Sequence, residues 1–176
     1  ERLKKQQNQP ITAIISNPPY SVGAKKGNHA QKNMKYPILD KDISNDYVEK
    51  SQSKSVRGLY DSYIRAFKWA SKRIDNQGVI GFVTNASYLD STSTDGFRKA
   101  LYSEFNHIYV YNLRGNALLS GESRRKEGDN VFAQGSKTPV AICILVKDNS
   151  KQHELFYKDI GDYLSRKEKL DKIKEK

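Results

Sequence analysis

The spacing of hydrophobic residues changes repeatedly along this chain, and each spacing predicts a type of secondary structure. The run Ile11–Ser16 is short, rich in β-branched residues and followed closely by two prolines, which predicts a buried strand. Between residues 58 and 76 the apolar positions recur every three or four residues, which predicts an amphipathic helix. The same reading of the rest of the chain predicts strands at 79–84, 107–112, 140–146 and 155–157, a helix from 93 to 105, and a final charged helix at 163–174.

The order of these elements predicts the fold class. Strands that alternate with helices are typical of an α/β fold with a mainly parallel sheet. In such sheets, ligands bind beyond the carboxyl ends of the strands. Because Asn17, Asn85 and Asn112 directly follow predicted strands, we expect all three to lie on one rim of the sheet.

The tetrapeptide Asn17-Pro18-Pro19-Tyr20 is the strongest chemical feature of the sequence. Each proline forces the residue before it out of the helical region, which predicts a stiff, extended loop. An amide oxygen can accept the hydrogens of a planar amino group, and an aromatic ring can stack on its π-face. The alternative is a strand terminator with an aromatic residue beside it by chance. We favour the functional interpretation, because a fixed string of four residues arises by chance in a chain of this size only about one time in a thousand.

Three polar segments flank or interrupt the predicted elements. Residues 1–10 form a polar, basic lead-in, and residues 161–176 form a charged C-terminal segment. Residues 21–56 form a long, polar, lysine-rich insertion directly after the tetrapeptide. Such an insertion either has a function, closing over a site or following a phosphate backbone, or is an ordinary flexible loop, and the sequence favours neither interpretation.

Composition narrows the class of partner. The 176 residues carry a formal net charge of +11, which favours nucleic acid as a partner and an anionic membrane surface second, with a basic protein of no such partner as the alternative. No apolar run approaches the roughly 20 residues of a membrane span, and we expect a cytoplasmic protein without a membrane partner. Cys143 lies inside an apolar run and is expected to be a buried thiol. The histidines are scattered, so we expect no metal site; they are His29, His107 and His153.

Several motifs together resemble one family. The tetrapeptide behind a strand resembles the catalytic motif of methyltransferases that use S-adenosylmethionine to methylate the exocyclic amino group of adenine in DNA. The residues Leu-Arg-Gly-Asn at 113–116, and Val-Phe-Ala-Gln-Gly-Ser-Lys-Thr-Pro-Val-Ala at 131–141, are similar to the methylase part of large single-chain restriction-modification polypeptides with a helicase-like translocase. The resemblance covers about residues 11–170. It implies a partial class I, Rossmann-like methyltransferase fold, with a mainly parallel sheet and an antiparallel late strand.

The resemblance also implies roles for individual residues. The catalytic loop would be Asn17, Pro18, Pro19 and Tyr20, in which the Asn17 side chain and the Pro18 carbonyl accept the two amino hydrogens of a flipped adenine. Tyr20 would stack on one face of the base and Phe132 on the other, although Phe132 is equally consistent with a core residue at the start of a strand. Double-stranded DNA would be the partner, and the cations expected to contact it are Lys25, Lys26, Arg114, Arg124, Arg125 and Lys126, with the last three in a loop on the active rim.

One departure from the family affects the cofactor. The family binds S-adenosylmethionine through a glycine-rich turn after its first strand and a following acidic residue, and nothing before Ile11 supplies either. We therefore expect residues 11–160 to be the catalytic half of a methyltransferase domain, with the N-terminal part of the same polypeptide missing. Cofactor binding by this chain alone is expected to be weak or absent. The strand at 11–16 would then have an unpaired edge, through which a dimer could form.

Two other functions remain open from the sequence. A protein-glutamine methyltransferase would use the same tetrapeptide on a planar side-chain amide, although the basic insertion and the arginine-rich loop argue against it. A non-catalytic module for DNA binding or assembly would keep the fold without the activity.

Overall fold

The structure is a computed structural model that describes residues 2–7, 9–20, 36–132 and 135–175. These residues form a five-stranded sheet with helices between the strands. The strands are β1 (Ile11–Ser16), β2 (Ile74–Asn85), β3 (His107–Arg114), β4 (Val140–Asp148) and β5 (Glu154–Asp159). The α-helices are α1 (Arg2–Gln7), α2 (Pro37–Ile43), α3 (Ser62–Arg73), α4 (Asp95–Glu104), α5 (Gly121–Glu127) and α6 (Arg166–Lys174). A π-helical turn at Ser44–Val48 continues α2, and 3-10 turns occupy Arg57–Tyr60, Ala86–Tyr88 and Thr92–Thr94.

The sheet is mainly parallel. Its strand order is β1-β2-β4-β3-β5. β1 pairs with β2 in parallel and β3 pairs with β5 in parallel. β4 is antiparallel to both of its neighbours, β2 and β3. The predicted α/β fold with an antiparallel late strand is therefore confirmed.

One face of the sheet carries the main core. The row Ile14, Ile80, Leu145 and Ile108 runs across four neighbouring strands on this face, and the last three of these side chains are buried. Helices α3 and α4 supply the other half of this core. Phe67 of α3, for example, packs with its ring centroid 4.8 Å from that of Phe82 on β2.

The opposite face of the sheet is largely open in the described part of the chain. The next row across all five strands consists of Ile15, Gly81, Ile144, Tyr109 and Phe156. The last two rings stack with centroids 4.9 Å apart, yet Ile15 is 88% exposed and Phe156 is 47% exposed. Residues 11–16 form the predicted strand, but the prediction that this strand is buried is wrong. β1 is the outermost strand on its side of the described sheet, so its β-branched residues pair with one neighbour only.

The segment predicted as one long polar insertion is partly helical. Ile43 of α2 and Tyr47 of the π-helical turn are both fully buried. Tyr47 packs against Phe97 of α4, with ring centroids 5.1 Å apart. Gly96 allows this approach, because a Cβ atom there would lie 1.9 Å from the carbonyl oxygen of Tyr47. A loop interpretation is therefore wrong for residues 37–48.

Other predictions differ from the structure in smaller ways. A short helix, α1, forms within the polar lead-in at residues 1–10. The amphipathic helix spans Ser62–Arg73 rather than 58–76, because β2 begins at Ile74, directly after it. Arg124, Arg125 and Lys126 lie on the helix α5 rather than in a loop. The burial of Cys143 is confirmed.

Candidate active site

The tetrapeptide loop leaves the carboxyl end of β1. Ser16, the last residue of β1, pairs with Phe82 of β2, so Asn17 follows close to the end of that strand. Asn85 ends β2 and pairs with Val140, and Asn112 of β3 pairs with Ala141. The three asparagines therefore lie at the same end of the sheet, as predicted.

Among the residues that the structure describes, the side chains of Asn85 and Asn112 make hydrogen bonds and that of Asn17 makes none. The Oδ1 atom of Asn85 accepts the backbone N–H of Ser87 at 2.8 Å. The Oδ1 atom of Asn112 accepts the backbone N–H of Arg114 at 3.0 Å, and its Nδ2 donates to the Tyr157 hydroxyl. Asn17 is exposed, and its side chain makes no hydrogen bond with the residues that the structure describes. Its amide is thus free to bind a ligand.

Pro18 and Tyr20 anchor the loop from which Asn17 projects. Pro18 is buried, whereas Pro19 is exposed. The ring of Tyr20 meets the ring of Tyr63 edge-on, with centroids 6.2 Å apart. Tyr63 lies in the first turn of α3, where Asp61 caps the helix by accepting the Tyr63 backbone N–H. The loop is therefore packed against the N-terminus of a core helix.

Tyr20 keeps a neutral ring. Burial raises the pKa of its hydroxyl to about 12. The hydroxyl oxygen is buried and has no hydrogen-bond partner among the described residues. A neutral phenol with a partly accessible ring suits stacking, while the same contact with Tyr63 fixes where the ring lies.

Phe132 lies in the connection between α5 and β4. Its ring is 38% exposed, whereas the preceding Val131 is buried in a small second core with Leu113, Val140 and Ile160. Val131 therefore takes the core position that was an alternative for Phe132. Phe132 is presented at the same end of the sheet as the tetrapeptide, because β4 begins at Val140, opposite Asn85.

The cations predicted to contact DNA differ in their availability. The Arg114 guanidinium donates to Asp159 at 2.8 Å and also pairs with Asp162, so two carboxylates already hold it. Arg124 donates to the Gly128 carbonyl oxygen at 2.7 Å, at the end of α5. Arg125 is largely exposed and pairs loosely with Glu122, and Lys126 is exposed without a side-chain partner in the described residues. Lys25 and Lys26 lie outside the described residues.

Lys169 is a buried cation that the sequence analysis did not single out. Its ammonium donates to the carbonyl oxygens of Leu113 at 2.9 Å and Glu127 at 2.7 Å. Burial lowers its pKa to about 8, although Glu127 and Asp129 oppose that shift. This lysine joins the end of β3 to the end of α5. No local pattern in the charged C-terminal helix distinguishes it from its neighbours.

No cluster of potential metal ligands occurs within the described ranges. Among these same residues, no helix is long and apolar enough to cross a membrane.

Comparison with known proteins places this site in a family. The family described as Eco57I restriction-modification methylase matches residues 2–118, which include the tetrapeptide and most of the sheet. The chain belongs to this methylase family. The model of this family covers about two thirds of the chain.

Solved structures of longer proteins match nearly the whole chain. A nuclease-deletion mutant of the Type ISP restriction-modification enzyme LlaGI, in complex with a DNA substrate mimic, is 54% identical over 99% of the chain, with a TM-score of 0.92. The DrdV–DNA complex is 38% identical over 99% of the chain, with a TM-score of 0.91. The DNA-bound, ATP-dependent Type ISP enzyme LlaBIII is 42% identical over 98% of the chain, with a TM-score of 0.89. The chain spans only 17%, 17% and 12% of those three proteins, respectively.

A more distant structure supports the fold alone. The methyltransferase subunit of a type I restriction-modification system from Streptococcus thermophilus is 16% identical, with a TM-score of 0.54 over 99% of the methylase chain. The Rossmann-like methyltransferase fold is thereby confirmed.

Proposed function

We propose that this chain is the catalytic half of a DNA adenine methyltransferase within a restriction-modification polypeptide. The reaction would transfer a methyl group from S-adenosylmethionine to the exocyclic amino group of a flipped adenine. The observation that carries the proposal is the uncommitted amide of Asn17, on a proline-stiffened loop at the carboxyl end of β1. The identity of 54% to an enzyme solved with a DNA substrate mimic supports DNA as the substrate.

The loop residues would bind the amino group. The Asn17 Oδ1 atom and the Pro18 carbonyl oxygen each accept one of its hydrogens, which orients the nitrogen lone pair away from both acceptors. Tyr20 and Phe132 would stack on the two faces of the base, and each such contact is worth about 1–3 kcal/mol. These contacts offset the few kcal/mol that extruding a base from the duplex costs. Holding the reactants in line supplies much of the remaining acceleration. The amino nitrogen would form its bond to the methyl group as the sulfonium–methyl bond breaks, and the nitrogen would then lose a proton to water, so no side-chain base is needed.

One glycine turn of the described residues, the turn after β3, does not fit S-adenosylmethionine. The turn after β3 contains Gly115, but a Cβ atom there would lie 2.9 Å from Asn130, so this turn is filled by protein and forms no open cradle. We propose that other segments of the longer polypeptide hold the cofactor, as the lengths of the relatives allow. The 176-residue chain by itself would accordingly bind it weakly or not at all.

Replacing Asn17 tests the proposal. In the complete polypeptide, Asn17→Ala should lower the single-turnover rate of adenine methylation by about 100- to 1,000-fold, the usual cost of losing one preorganised hydrogen-bonding group. Duplex affinity should change little, because Asn17 would contact only the flipped base. Tritium transfer from labelled S-adenosylmethionine to a duplex measures the rate. Asn76→Ala is the matched control, since Asn76 is exposed near the opposite end of β2.

The same assay separates the alternatives. Methylation that survives Asn17→Ala would refute the catalytic role of the loop. A wild-type protein that binds duplex DNA without methylating it would be the non-catalytic module. Label transferred to a glutamine-containing peptide rather than to DNA would identify a protein-glutamine methyltransferase.

A further inference from the structure

We infer that Asn130 is a positioning residue, which fixes the loop of Phe132 so that its ring forms one wall of the pocket for the flipped base. This inference rests on the proposed function. It adds Asn130 to the residues that the proposed reaction needs. Asn130 would not contact the base, and its effect on methylation would pass through Phe132.

The side-chain amide of Asn130 is fully used by three separate backbone segments. Its Nδ2 atom donates to the carbonyl oxygen of Gly115 at 3.1 Å and to that of Thr138 at 2.8 Å. Its Oδ1 atom accepts the backbone N–H of Phe132 at 2.9 Å. One side chain therefore joins the turn after β3, the start of the Phe132 loop and the segment that enters β4.

The turn after β3 is shaped to receive this side chain. Gly115 has a φ of +90°, a conformation that other residues rarely adopt. A Cβ atom at this position would lie 2.9 Å from the Cα of Asn130 and 3.1 Å from its Nδ2. The backbone N–H of Gly115 donates to the Glu127 carbonyl oxygen at 3.2 Å. Gly115 is thus held on one side by the end of α5 and on the other by Asn130.

Neighbouring contacts fix the backbone of residues 129–131 and leave the Phe132 ring accessible. The backbone N–H of Asp129 donates to the Leu164 carbonyl oxygen at 3.0 Å. The Nε atom of Arg166 donates to the Val131 carbonyl oxygen at 3.0 Å, and the Val131 side chain is buried. Phe132 follows with its ring 38% exposed. A firmly held backbone with an accessible ring is the arrangement that a stacking wall requires, because an unfixed ring would lose rotational freedom on every binding event.

The amide group is specifically required. Two carbonyl oxygens and one N–H surround the side chain, so it must donate twice and accept once. Asn130→Asp has nearly the same shape and keeps the acceptor, but it replaces both donations with a carboxylate facing two carbonyl oxygens. We expect the loop to move away and Phe132 to lose its position.

A double-mutant cycle in the complete polypeptide tests this inference. The variants are Asn130→Asp, Phe132→Ala and the two combined. Single-turnover methylation and duplex affinity are measured for each variant, together with the fluorescence of 2-aminopurine at the target base. Asn116→Asp is the matched control, because Asn116 lies in the same turn but its side chain, among the described residues, only accepts, from the backbone N–H of Leu118.

Asn130→Asp should slow methylation by about tenfold or more, close to the effect of Phe132→Ala, with duplex affinity within about threefold of wild type. Because both variants remove the same contact, the double variant should be no slower than Phe132→Ala alone. Both single variants should also change the emission of 2-aminopurine in the complex, since an aromatic neighbour quenches it. Asn116→Asp should behave as the wild type in all three measurements.

If the rate losses of the two single variants multiplied in the double variant, the inference would be overturned. It would also be overturned if Asn130→Asp slowed methylation without changing the 2-aminopurine emission. Wild-type rates in Asn130→Asp, combined with loss of methylation in Asn17→Ala, would refute this inference and leave the proposed function intact. If Asn130→Asp does not fold, Arg166→Met replaces it in the same cycle, because it releases the Val131 carbonyl oxygen from the other side of the loop. The same non-additivity with Phe132→Ala is expected, and additivity would again overturn the inference.

Discussion

Lys169 shows how a charged side chain in a hydrophilic helix can be structural. The sequence around it is strongly charged, and its neighbours on α6 are mostly exposed. Its own ammonium is fully buried, where it donates to the carbonyl oxygens of Leu113 and Glu127. Burying a cation is costly unless its hydrogen bonds are satisfied, so these two carbonyl groups determine whether the lysine is tolerated.

The lowered pKa of Lys169 predicts a pH dependence of stability. Its pKa is about 8 in the folded chain, against 10.5 for the unperturbed group. Between these values the unfolded chain binds more protons than the folded one, so the contribution of Lys169 to the free energy of unfolding rises with pH. That contribution is least favourable below pH 8, where the buried ammonium is charged. Urea unfolding at several pH values between 7 and 10 measures the effect.

Lys169→Met should remove this increase in the free energy of unfolding with pH. It should also destabilise the protein at every pH, because two carbonyl oxygens lose their donor. Lys172→Met is the control, since Lys172 is an exposed lysine of the same helix with a single bond to the Ile160 carbonyl oxygen. It should keep the wild-type pH profile. Parallel profiles for wild type and Lys169→Met would show that the buried group does not titrate in this range.

At the scale of elements, the sequence predicted every strand but misjudged how some elements are buried. β1 has the β-branched composition of a central strand, yet it is the outermost strand on its side of the described sheet. Composition cannot distinguish these positions, because it does not reveal how many neighbours a strand has. The turn Ser44–Val48 was missed because a single buried Tyr47 among polar residues gives no helical period. Its burial depends on Gly96, which is distant in sequence.

The residues of the candidate site also differ in whether the sequence could predict them. The tetrapeptide Asn17–Tyr20 could be found from sequence because its chemistry lies in consecutive residues. The role of Asn130 could not, because it depends on Gly115 and Thr138, which only the folded chain brings to it. The two carboxylates that hold Arg114 are likewise remote in sequence.

The same substitution should lower the free energy of unfolding by different amounts on the two faces of the sheet. Ile15 and Ile80 lie on adjacent strands, but Ile15 is 88% exposed and Ile80 is fully buried. Ile80→Ala should lower the free energy of unfolding by about 2–5 kcal/mol, because it leaves a cavity in the main core. Ile15→Ala should change it by about 0.5 kcal/mol or less. Urea unfolding of the 176-residue chain measures both, and similar losses in the two variants would show that the Ile15 face is covered.

At the scale of the whole molecule, only part of the positive charge is available to a partner. The chain carries a formal net charge of +11. However, several cations near the candidate site support the fold, including Arg114, Arg124 and Lys169. Net charge alone therefore overstates how many cations are available to phosphate groups. Lys126, exposed on α5 without a side-chain partner among the described residues, is one cation available at this end of the sheet.

This distribution predicts which lysine affects DNA binding. Lys126→Ala in the complete polypeptide should weaken duplex binding similarly for all sequences, because a phosphate contact carries no base information. It should also make the slope of log K against log salt less steep by about 0.9, the value for one released counterion. Lys151→Ala is the control, since Lys151 is exposed between β4 and β5 at the opposite end of the sheet. Fluorescence anisotropy between 50 and 200 mM salt, a range of about fourfold, resolves such a change. Equal slopes for wild type and Lys126→Ala would exclude a phosphate contact at α5, and an equal loss in Lys151→Ala would show that only overall charge matters.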